Sequence, residues 1–232
     1  MFNQLQGKHV IVTGGFGVLG RAVGALLVGR GARVLLLDRA AAPEGFEQPG
    51  LLFMGGVDLT DATATADAMQ RAAGSLGEVH ALVNVAGGFS WESVAEGSID
   101  TWDRLYNMNL RTAVLSSQSV LPHLPAQGPG RIVNVGALAS VKAAAGMGAY
   151  AASKAGVARF TEALADELKD RCITVNAVMP SIIDTPANRA DMPDADPTRW
   201  VTPRALAAVI AFLLSDDAAA VTGACLPVSG RV

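Results

Sequence analysis

Short apolar runs alternate with longer alanine-rich segments along almost the whole 232-residue chain. The short runs are rich in Val, Ile and Leu and predict buried strands, whereas the segments between them have the apolar spacing of helices. The predicted strands are residues 9–13, 33–38, 51–55, 81–85, 131–135, 174–179 and 226–229, and the predicted helices are residues 19–29, 62–76, 99–121, 150–169 and 202–214. This alternation predicts an α/β fold with a Rossmann-type, doubly wound, seven-stranded parallel sheet flanked by helices.

No linker rich in Pro, Gly or Ser divides the chain, so we expect one domain over residues 1–232. Residues 181–201 are the exception, because Pro186, Pro193 and Pro197 occur there among polar residues after the sixth predicted strand. A loop of this length would leave the carboxyl edge of the sheet, where ligands bind. We interpret the segment as a substrate lid, with a mobile surface loop as the alternative.

Charge and composition exclude several classes of function. The 21 acidic and 18 basic residues give a net charge of −3, so no basic field favours nucleic acid as a partner. The apolar run at residues 10–12 is too short for a signal sequence or a membrane span, so we expect a soluble cytoplasmic protein without a membrane partner. The three histidines and two cysteines have no ligand spacing, and we expect no metal and two buried thiols.

A glycine-rich turn directly follows the first predicted strand. It reads Thr13-Gly14-Gly15-Phe16-Gly17-Val18-Leu19-Gly20, and a predicted helix follows it. Glycines let the backbone approach a pyrophosphate, whose charge is stabilised by the N–H groups at the start of the helix. Asp38 ends the second predicted strand, where an acid binds the ribose hydroxyls of the adenine half. Together these features predict a dinucleotide site.

Asp38 also indicates which dinucleotide is bound. A carboxylate pairs with free 2′ and 3′ hydroxyls but repels a 2′-phosphate, so NAD(H) is favoured. Arg39 follows immediately, and its guanidinium could bind a phosphate, which keeps NADP(H) open.

Tyr150 and Lys154 are four residues apart at the start of a predicted helix, so both project from one face. A buried ammonium beside a phenol favours the phenolate. We therefore expect a lowered pKa for Tyr150, which would make the phenol an acid or base near neutrality.

The order of these motifs resembles the short-chain dehydrogenase/reductase superfamily, and the resemblance covers essentially the whole chain. Its supporting residues are the turn at residues 13–20, Asp58-Leu59, Asn84-Val85-Ala86-Gly87, Asn109, Tyr150 with Lys154, Asn176 with Pro180, and Val221-Thr222-Gly223. The resemblance implies an NAD(P)-dependent oxidoreductase that forms a homodimer or homotetramer.

The same resemblance implies roles for individual residues. Tyr150 would be the acid/base, Lys154 would hold the nicotinamide ribose and tune Tyr150, and Asn109 would support a proton-relay water. The implied cofactor contacts are Gly14, Phe16, Gly17, Val18, Leu19, Gly20, Asp38, Arg39, Asp58, Leu59, Val85, Ala86, Gly87, Tyr150, Lys154, Pro180, Ile183 and Thr185.

Two positions depart from the superfamily pattern. The catalytic serine position, thirteen residues before the tyrosine, is Ala137, and Val18 stands where the second glycine of the turn is usual. Losing one donor to a developing oxyanion typically costs about 10²- to 10³-fold in rate. Ser140 lies three residues later and is not assumed to replace the missing serine.

Both departures resemble the dihydropteridine reductase branch, as does the proline-rich segment from Asp184 to Pro203. We therefore favour a quinonoid dihydropterin as substrate, since this electron-poor ring needs less oxyanion stabilisation than a ketone. Ala137, Trp91 and Asn188 are the predicted substrate contacts, with Trp91 either stacking on the ring or only packing.

Two alternatives remain. One is a general carbonyl or 3-oxoacyl reductase, in which water or another hydroxyl replaces the serine. The other is a non-catalytic protein that senses a dinucleotide, against which the retention of Tyr150, Lys154 and Asn109 argues.

Overall fold

The computed structural model describes residues 4–42, 48–126 and 128–232. Its seven strands form one parallel sheet in the order β3-β2-β1-β4-β5-β6-β7. The strands are β1 (His9–Thr13), β2 (Arg33–Leu37), β3 (Leu51–Met54), β4 (Ala81–Asn84), β5 (Gly130–Val135), β6 (Ile173–Pro180) and β7 (Cys225–Val228). The predicted α/β fold is confirmed, and every strand lies within one residue of its predicted bounds at either end.

Helices cover both faces of this sheet. They are α1 (Val18–Gly29), α2 (Ala62–Leu76), α3 (Ile99–Tyr106), α4 (Thr112–Val120), α5 (Gly148–Leu168), α6 (Pro186–Asp191) and α7 (Pro203–Leu214). The helix predicted over residues 99–121 is confirmed over residues 99–120, but a π-helical turn that was not predicted, Asn107–Arg111, separates α3 from α4. Helix α6 lies inside the segment that was predicted to be an irregular loop.

The strands alternate their side chains between two apolar layers. Val10 and Val12 of β1 belong to the layer beneath α1 and α7, whereas Ile11 belongs to the layer beneath α2 and α5. Because both faces are covered, the central strands β4, β5 and β6 are buried along their whole length, as is usual in parallel sheets. This packing fixes the carboxyl ends of the strands at one edge, where the candidate site lies.

Three further predictions concern membrane spans, metal sites and the two cysteines. No helix in the described ranges is long and apolar enough to cross a membrane. Within the same ranges, no group of three or more His, Cys, Asp or Glu side chains could hold a metal ion. The expectation of two buried thiols is wrong for Cys172, which is exposed in a left-handed turn with φ +56°, while Cys225 is half-buried.

Candidate active site

The carboxyl ends of the central strands open into a cleft of about 1720 Å³. It begins where the strand order reverses between β1 and β4, the usual position of a ligand site in a doubly wound sheet. The structure brings most of the residues predicted from the sequence to its walls, namely Gly14, Gly17, Val18, Leu19, Gly20, Asp38, Arg39, Asp58, Leu59, Val85, Ala86, Gly87, Trp91, Ala137, Tyr150, Lys154, Pro180, Ile183, Thr185 and Asn188. Phe16 and Asn109 do not line it.

The glycine-rich turn is locked against the loop that follows β4. Thr13 Oγ1 accepts hydrogen bonds from the main-chain N–H groups of Val85 and Ala86, at 3.2 and 3.3 Å. Gly14 has φ +62°, and a Cβ atom there would lie 2.7 Å from the main-chain nitrogen of Ala86. Only glycine therefore allows this close approach between the two loops.

The start of α1 suits an anion. Gly17 precedes the helix, and in the described structure no side chain caps it and no acidic residue occupies its first turn. Gly17, Val18 and Leu19 also line the cleft. The first N–H groups of a helix lack intrahelical acceptors and carry partial positive charge. This donor set fits the pyrophosphate of a dinucleotide.

Asp38 fixes the end of β2 beside this turn. Its Oδ2 accepts from the main-chain N–H of Phe16 at 2.9 Å, and its Oδ1 accepts from that of Ala40 at 3.0 Å. The ring of Phe16 is buried against Phe53, with centroids 6.0 Å apart. Phe16 thus reaches this part of the site through its main chain, and its side chain belongs to the core.

A second carboxylate, Asp58, lies on the same side of the cleft. Its Oδ1 accepts from Thr60 Oγ1 at 2.7 Å and from Thr60 N at 2.9 Å. These hydrogen bonds hold the pKa of Asp58 below its usual range, and the positive charge of Arg39 lowers it further. Arg39 is exposed and lines the cleft together with Asp58.

Tyr150 and Lys154 project from α5 into the cleft. Burial raises the pKa of Tyr150 to about 12 and lowers the pKa of Lys154 to about 8. Lys154 Nζ donates to the main-chain carbonyl of Val135 at 2.7 Å. The expected lowering of the Tyr150 pKa is wrong for this structure, because burial disfavours the phenolate and the ammonium interacts with Val135 O.

Asn109 lies behind the cleft wall, in the π-helical turn. Its Oδ1 accepts from Gly88 N at 2.8 Å, and its Nδ2 donates to Gly88 O at 3.1 Å and to Ser153 Oγ at 3.0 Å. Ser153 Oγ in turn donates to the main-chain carbonyl of Tyr150 at 2.7 Å. One amide group thus connects the loop after β4 to the helix that carries Tyr150. Such π turns are frequent at functional sites.

Ala137 leaves the position of the missing hydroxyl apolar. The residue is 4% exposed and follows β5 on the cleft wall. Ser140 Oγ donates to the carbonyl oxygen of Ala137 at 2.7 Å, and Ser140 does not line the cleft. Its hydroxyl is therefore committed to local structure and does not take over the role of the serine.

Sequence reasoning missed several residues of the cleft wall, among them Phe89 and Met147. The ring of Phe89 contacts that of Tyr150 edge-to-face, with centroids 4.9 Å apart and planes at 82°. A signal was available for Phe89, because it directly follows Gly87 and Gly88 at the carboxyl end of β4, the edge where ligands bind.

Helix α6 gives residues 181–201 an ordered centre. Thr185 Oγ1 caps the helix by accepting from Asn188 N at 3.2 Å, and Asn188 Nδ2 donates to Ile183 O at 2.7 Å. Arg189 forms two hydrogen bonds with Asp184, at 2.6 and 2.9 Å, which hold the pKa of Asp184 below its usual range. Asn188 therefore lines the cleft with its amide nitrogen already bonded to the protein.

Both ends of residues 181–201 are anchored. Asp184 N donates to Val201 O at 2.8 Å, and Ser181 Oγ donates to Ser229 O at 2.6 Å. Arg199 Nη2 donates to Arg231 O at 2.8 Å, and Arg231 N donates to Arg199 O at 2.9 Å. Ser181 N also donates to Val228 O at 3.1 Å, so the segment is tied to β7 and to the residues after it.

Comparison with known proteins agrees with this geometry. The profile of the short chain dehydrogenase family matches residues 8–196. The 3-oxoacyl-(acyl-carrier-protein) reductase of Vibrio harveyi is 32% identical over 97% of both chains, and the 4-formylbenzenesulfonate dehydrogenase of Comamonas testosteroni is 35% identical over 97% of this chain and 98% of its own.

Solved structures show the same relationship. A short chain dehydrogenase from Burkholderia cenocepacia, solved in complex with NADP, is 34% identical and superposes with a TM-score of 0.89 over 98% of each chain. The protein is therefore an oxidoreductase that belongs to the short-chain dehydrogenase family.

Proposed function

We propose that this protein is an NAD(P)H-dependent reductase of small carbonyl compounds. The observation that carries the proposal is the cleft itself, which joins the uncapped start of α1 and Asp38 at one end to Tyr150 and Lys154 at the other. A dinucleotide and a small substrate need this combination in one continuous space.

Bound NAD(P)H would supply a hydride to the carbonyl carbon. The chain must then deliver a proton to the carbonyl oxygen, so that the C=O bond is reduced to an alcohol. Tyr150 suits this step because its pKa of about 12 keeps the phenol protonated at neutral pH. Lys154 would hold the nicotinamide ribose, and Asn109 would support the water that returns a proton to Tyr150.

We propose NAD(H) as the preferred cofactor. Asp38 lines the cleft with both carboxylate oxygens held by main-chain N–H groups, so the carboxylate cannot easily turn away from a 2′-phosphate. Two observations favour NADP(H): Arg39 also lines the cleft, and the similar dehydrogenase from Burkholderia cenocepacia was solved in complex with NADP. The hydrogen-bonded carboxylate of Asp38 supports NAD(H) as the preferred cofactor.

The relatives support a carbonyl substrate, because their names specify a 3-oxoacyl group and an aromatic aldehyde. Ala137 supports the second candidate, a quinonoid dihydropterin, because it leaves Tyr150 to stabilise the reacting oxygen without a serine hydroxyl. A substrate activated by conjugation tolerates that loss better than a simple ketone does.

Residues 181–201 are proposed as the substrate lid, since Thr185, Pro186 and Asn188 line the cleft. A homodimer or homotetramer is also proposed from the family resemblance. Light scattering on the purified protein tests the oligomeric state.

NADH oxidation by the purified protein tests the function with three substrates: acetoacetyl-CoA, benzaldehyde and a quinonoid dihydropterin. We expect turnover of benzaldehyde that is lost in Tyr150→Phe while NADH still binds. Faster turnover of the dihydropterin than of both carbonyls would establish the second candidate. Binding of NADH without turnover of any of the three substrates would contradict a reductase and favour the non-catalytic dinucleotide sensor.

A further inference from the structure

Two aromatic side chains are exposed on the substrate side of the cleft. Phe89 is 50% exposed and Trp91 is 64% exposed, and both line the same space as Tyr150. Because both rings are exposed in one cleft, they offer a ligand a large apolar surface to bury. We call these two side chains the aromatic wall.

The position of Phe89 is fixed by the residue before it. Gly88 is held at both its N–H and its carbonyl by the amide of Asn109. The ring of Phe89 then contacts Tyr150 edge-to-face at 4.9 Å between centroids. The phenylalanine therefore borders the proton donor, although half of its surface remains open to the cleft.

Trp91 is fixed by the loop before α5. Its Nε1 donates to Ala145 O at 3.0 Å, and the main-chain N–H of Glu92 donates to Gly146 O at 2.8 Å. A Cβ atom on Gly146 would overlap the indole, and Gly146 has φ +76°. The indole thus packs on this glycine with its polar atom already satisfied. What it leaves exposed is a flat, apolar surface.

Three further apolar residues, Ala137, Ala139 and Met147, line the same cleft as Tyr150. Aromatic rings bind other rings in offset-stacked or edge-to-face geometry and gain energy beyond the area they bury. A flat conjugated ring gains these contacts at Phe89 and Trp91, whereas a flexible aliphatic chain does not.

We propose that the aromatic wall selects a carbonyl or imine group conjugated to a flat ring, and that Phe89 is the specificity-determining residue. The proposal rests on the proposed reductase function for the reacting group. The preference for a flat ring follows from the wall alone and can be measured without turnover.

The binding test uses benzamide and cyclohexanecarboxamide, which carry the same amide on a flat and a saturated six-membered ring. Calorimetric titration of the protein, with and without NAD⁺, is expected to show benzamide binding about tenfold more tightly. Phe89→Leu should remove most of this preference. Phe212→Leu, the same change at a 41% exposed phenylalanine on α7 outside the cleft lining, should retain it.

A second variant, Phe89→Tyr, keeps the ring and is expected to keep the preference, which separates loss of the ring from damage to the fold. Turnover of benzaldehyde and cyclohexanecarboxaldehyde completes the test, with a raised KM for benzaldehyde alone in Phe89→Leu. If the protein reduces both aldehydes and binds the two amides equally well, the proposed selection by the aromatic wall is wrong, whereas the proposed reductase function is supported. A benzamide preference with no turnover of the two aldehydes, of acetoacetyl-CoA or of the quinonoid dihydropterin would overturn the reductase and support the aromatic wall.

Discussion

Lys154 donates a hydrogen bond from Nζ to the main-chain carbonyl of Val135 at 2.7 Å, inside the fold and at the end of β5. Burial lowers the pKa of this lysine to about 8, well below its ordinary value of 10.5. Keeping Lys154 charged near neutral pH therefore lowers the stability of the folded protein. A residue that lowers stability is expected to have a functional role, which supports the proposal that Lys154 binds the cofactor and acts on Tyr150.

Lys154→Met is expected to separate stability from activity. Removing a buried charge should raise the free energy of unfolding at pH 7 by about 1–2 kcal/mol, partly offset by the lost bond to Val135. Reductase activity should fall by about 10²-fold or more. Urea denaturation and steady-state kinetics measure the two effects. Lys169→Met, at an exposed lysine, is the control, and a less stable Lys154→Met would show that the hydrogen bond outweighs desolvation.

Tyr150 should ionise at a higher pH than an ordinary phenol. The chain has two tyrosines, and Tyr106 is 52% exposed. Ultraviolet titration should therefore resolve a phenolate step near pH 12 that is missing in Tyr150→Phe. Because burial raises the folded pKa above the ordinary 10.0, the stability that the neutral phenol contributes is complete below pH 10 and lost as the pH rises toward 12. A phenolate step that is lost in Tyr150→Phe but lies at the ordinary value near pH 10 would contradict the raised pKa and the burial of Tyr150.

Ala137→Ser is expected to restore a donor to the reacting oxygen. Turnover of benzaldehyde should rise about tenfold or more if the missing hydroxyl limits carbonyl reduction. Ala139→Ser is the matched control, since Ala139 also lines the cleft but is two residues further along the chain. An equal effect of both substitutions, or none, would show that the hydroxyl at position 137 is not the limiting group.

Asp38→Ser should change the choice of cofactor. The substitution removes the negative charge that repels a 2′-phosphate, so the Kd of NADH is expected to rise about tenfold while the Kd of NADPH falls. Fluorescence titration measures both constants. Asp58→Ser removes a second cleft carboxylate and serves as the comparison. Unchanged discrimination in Asp38→Ser would mean that Arg39 decides the cofactor.

His80 should make stability depend on pH below neutrality. Its Nδ1 accepts from the main-chain N–H of His9 at 3.1 Å, and its Nε2 lies 3.6 Å from Glu78 Oε2. Burial is the largest effect and lowers the His80 pKa below 6.5, with Lys8 and His9 adding to the shift and Glu78 opposing it. A lowered folded pKa means that stability is lost as the pH falls from about 6.5 through the folded value.

The measurement is the free energy of unfolding from pH 8 to pH 5. His80→Asn retains an acceptor near the position of Nδ1 but cannot become charged. The free energy of unfolding of His80→Asn should therefore depend less steeply on pH, by up to about 1.4 kcal/mol per pH unit, which is the contribution of one proton. A slope unchanged in the variant would assign the pH dependence to other groups.

The sheet could be predicted closely because its signal is local. Strands such as β1 and β5 are buried on both faces, so their Val and Ile runs coincide with their bounds. The glycine turn and Asp38 were also predictable, because each follows a strand at the ligand edge. The start of α6 also has a sequence signal, because Thr185 is an N-cap residue and Pro186 is favoured at the first helical position. The other prolines nearby favoured the prediction of a loop instead.

Tertiary contacts explain what could not be predicted. Residues 99–121 contain no local signal for a π turn, and the interruption coincides with Asn109, whose amide reaches Gly88 across 21 residues of sequence. The direction of the Tyr150 pKa shift likewise depends on its burial in the folded chain. Neither the π turn nor the direction of the Tyr150 pKa shift can therefore be predicted from the neighbouring residues in the sequence.

The double anchoring of residues 181–201 has a consequence for the entropy of binding. With Ser181 and Asp184 bonded at one end and Arg199 at the other, only the residues between these anchors are free to rearrange around a substrate. Ordering a short tethered span loses far less conformational freedom than ordering a free loop. More of the contact energy at the cleft is then available as net affinity, which suits a site that must hold a small ligand.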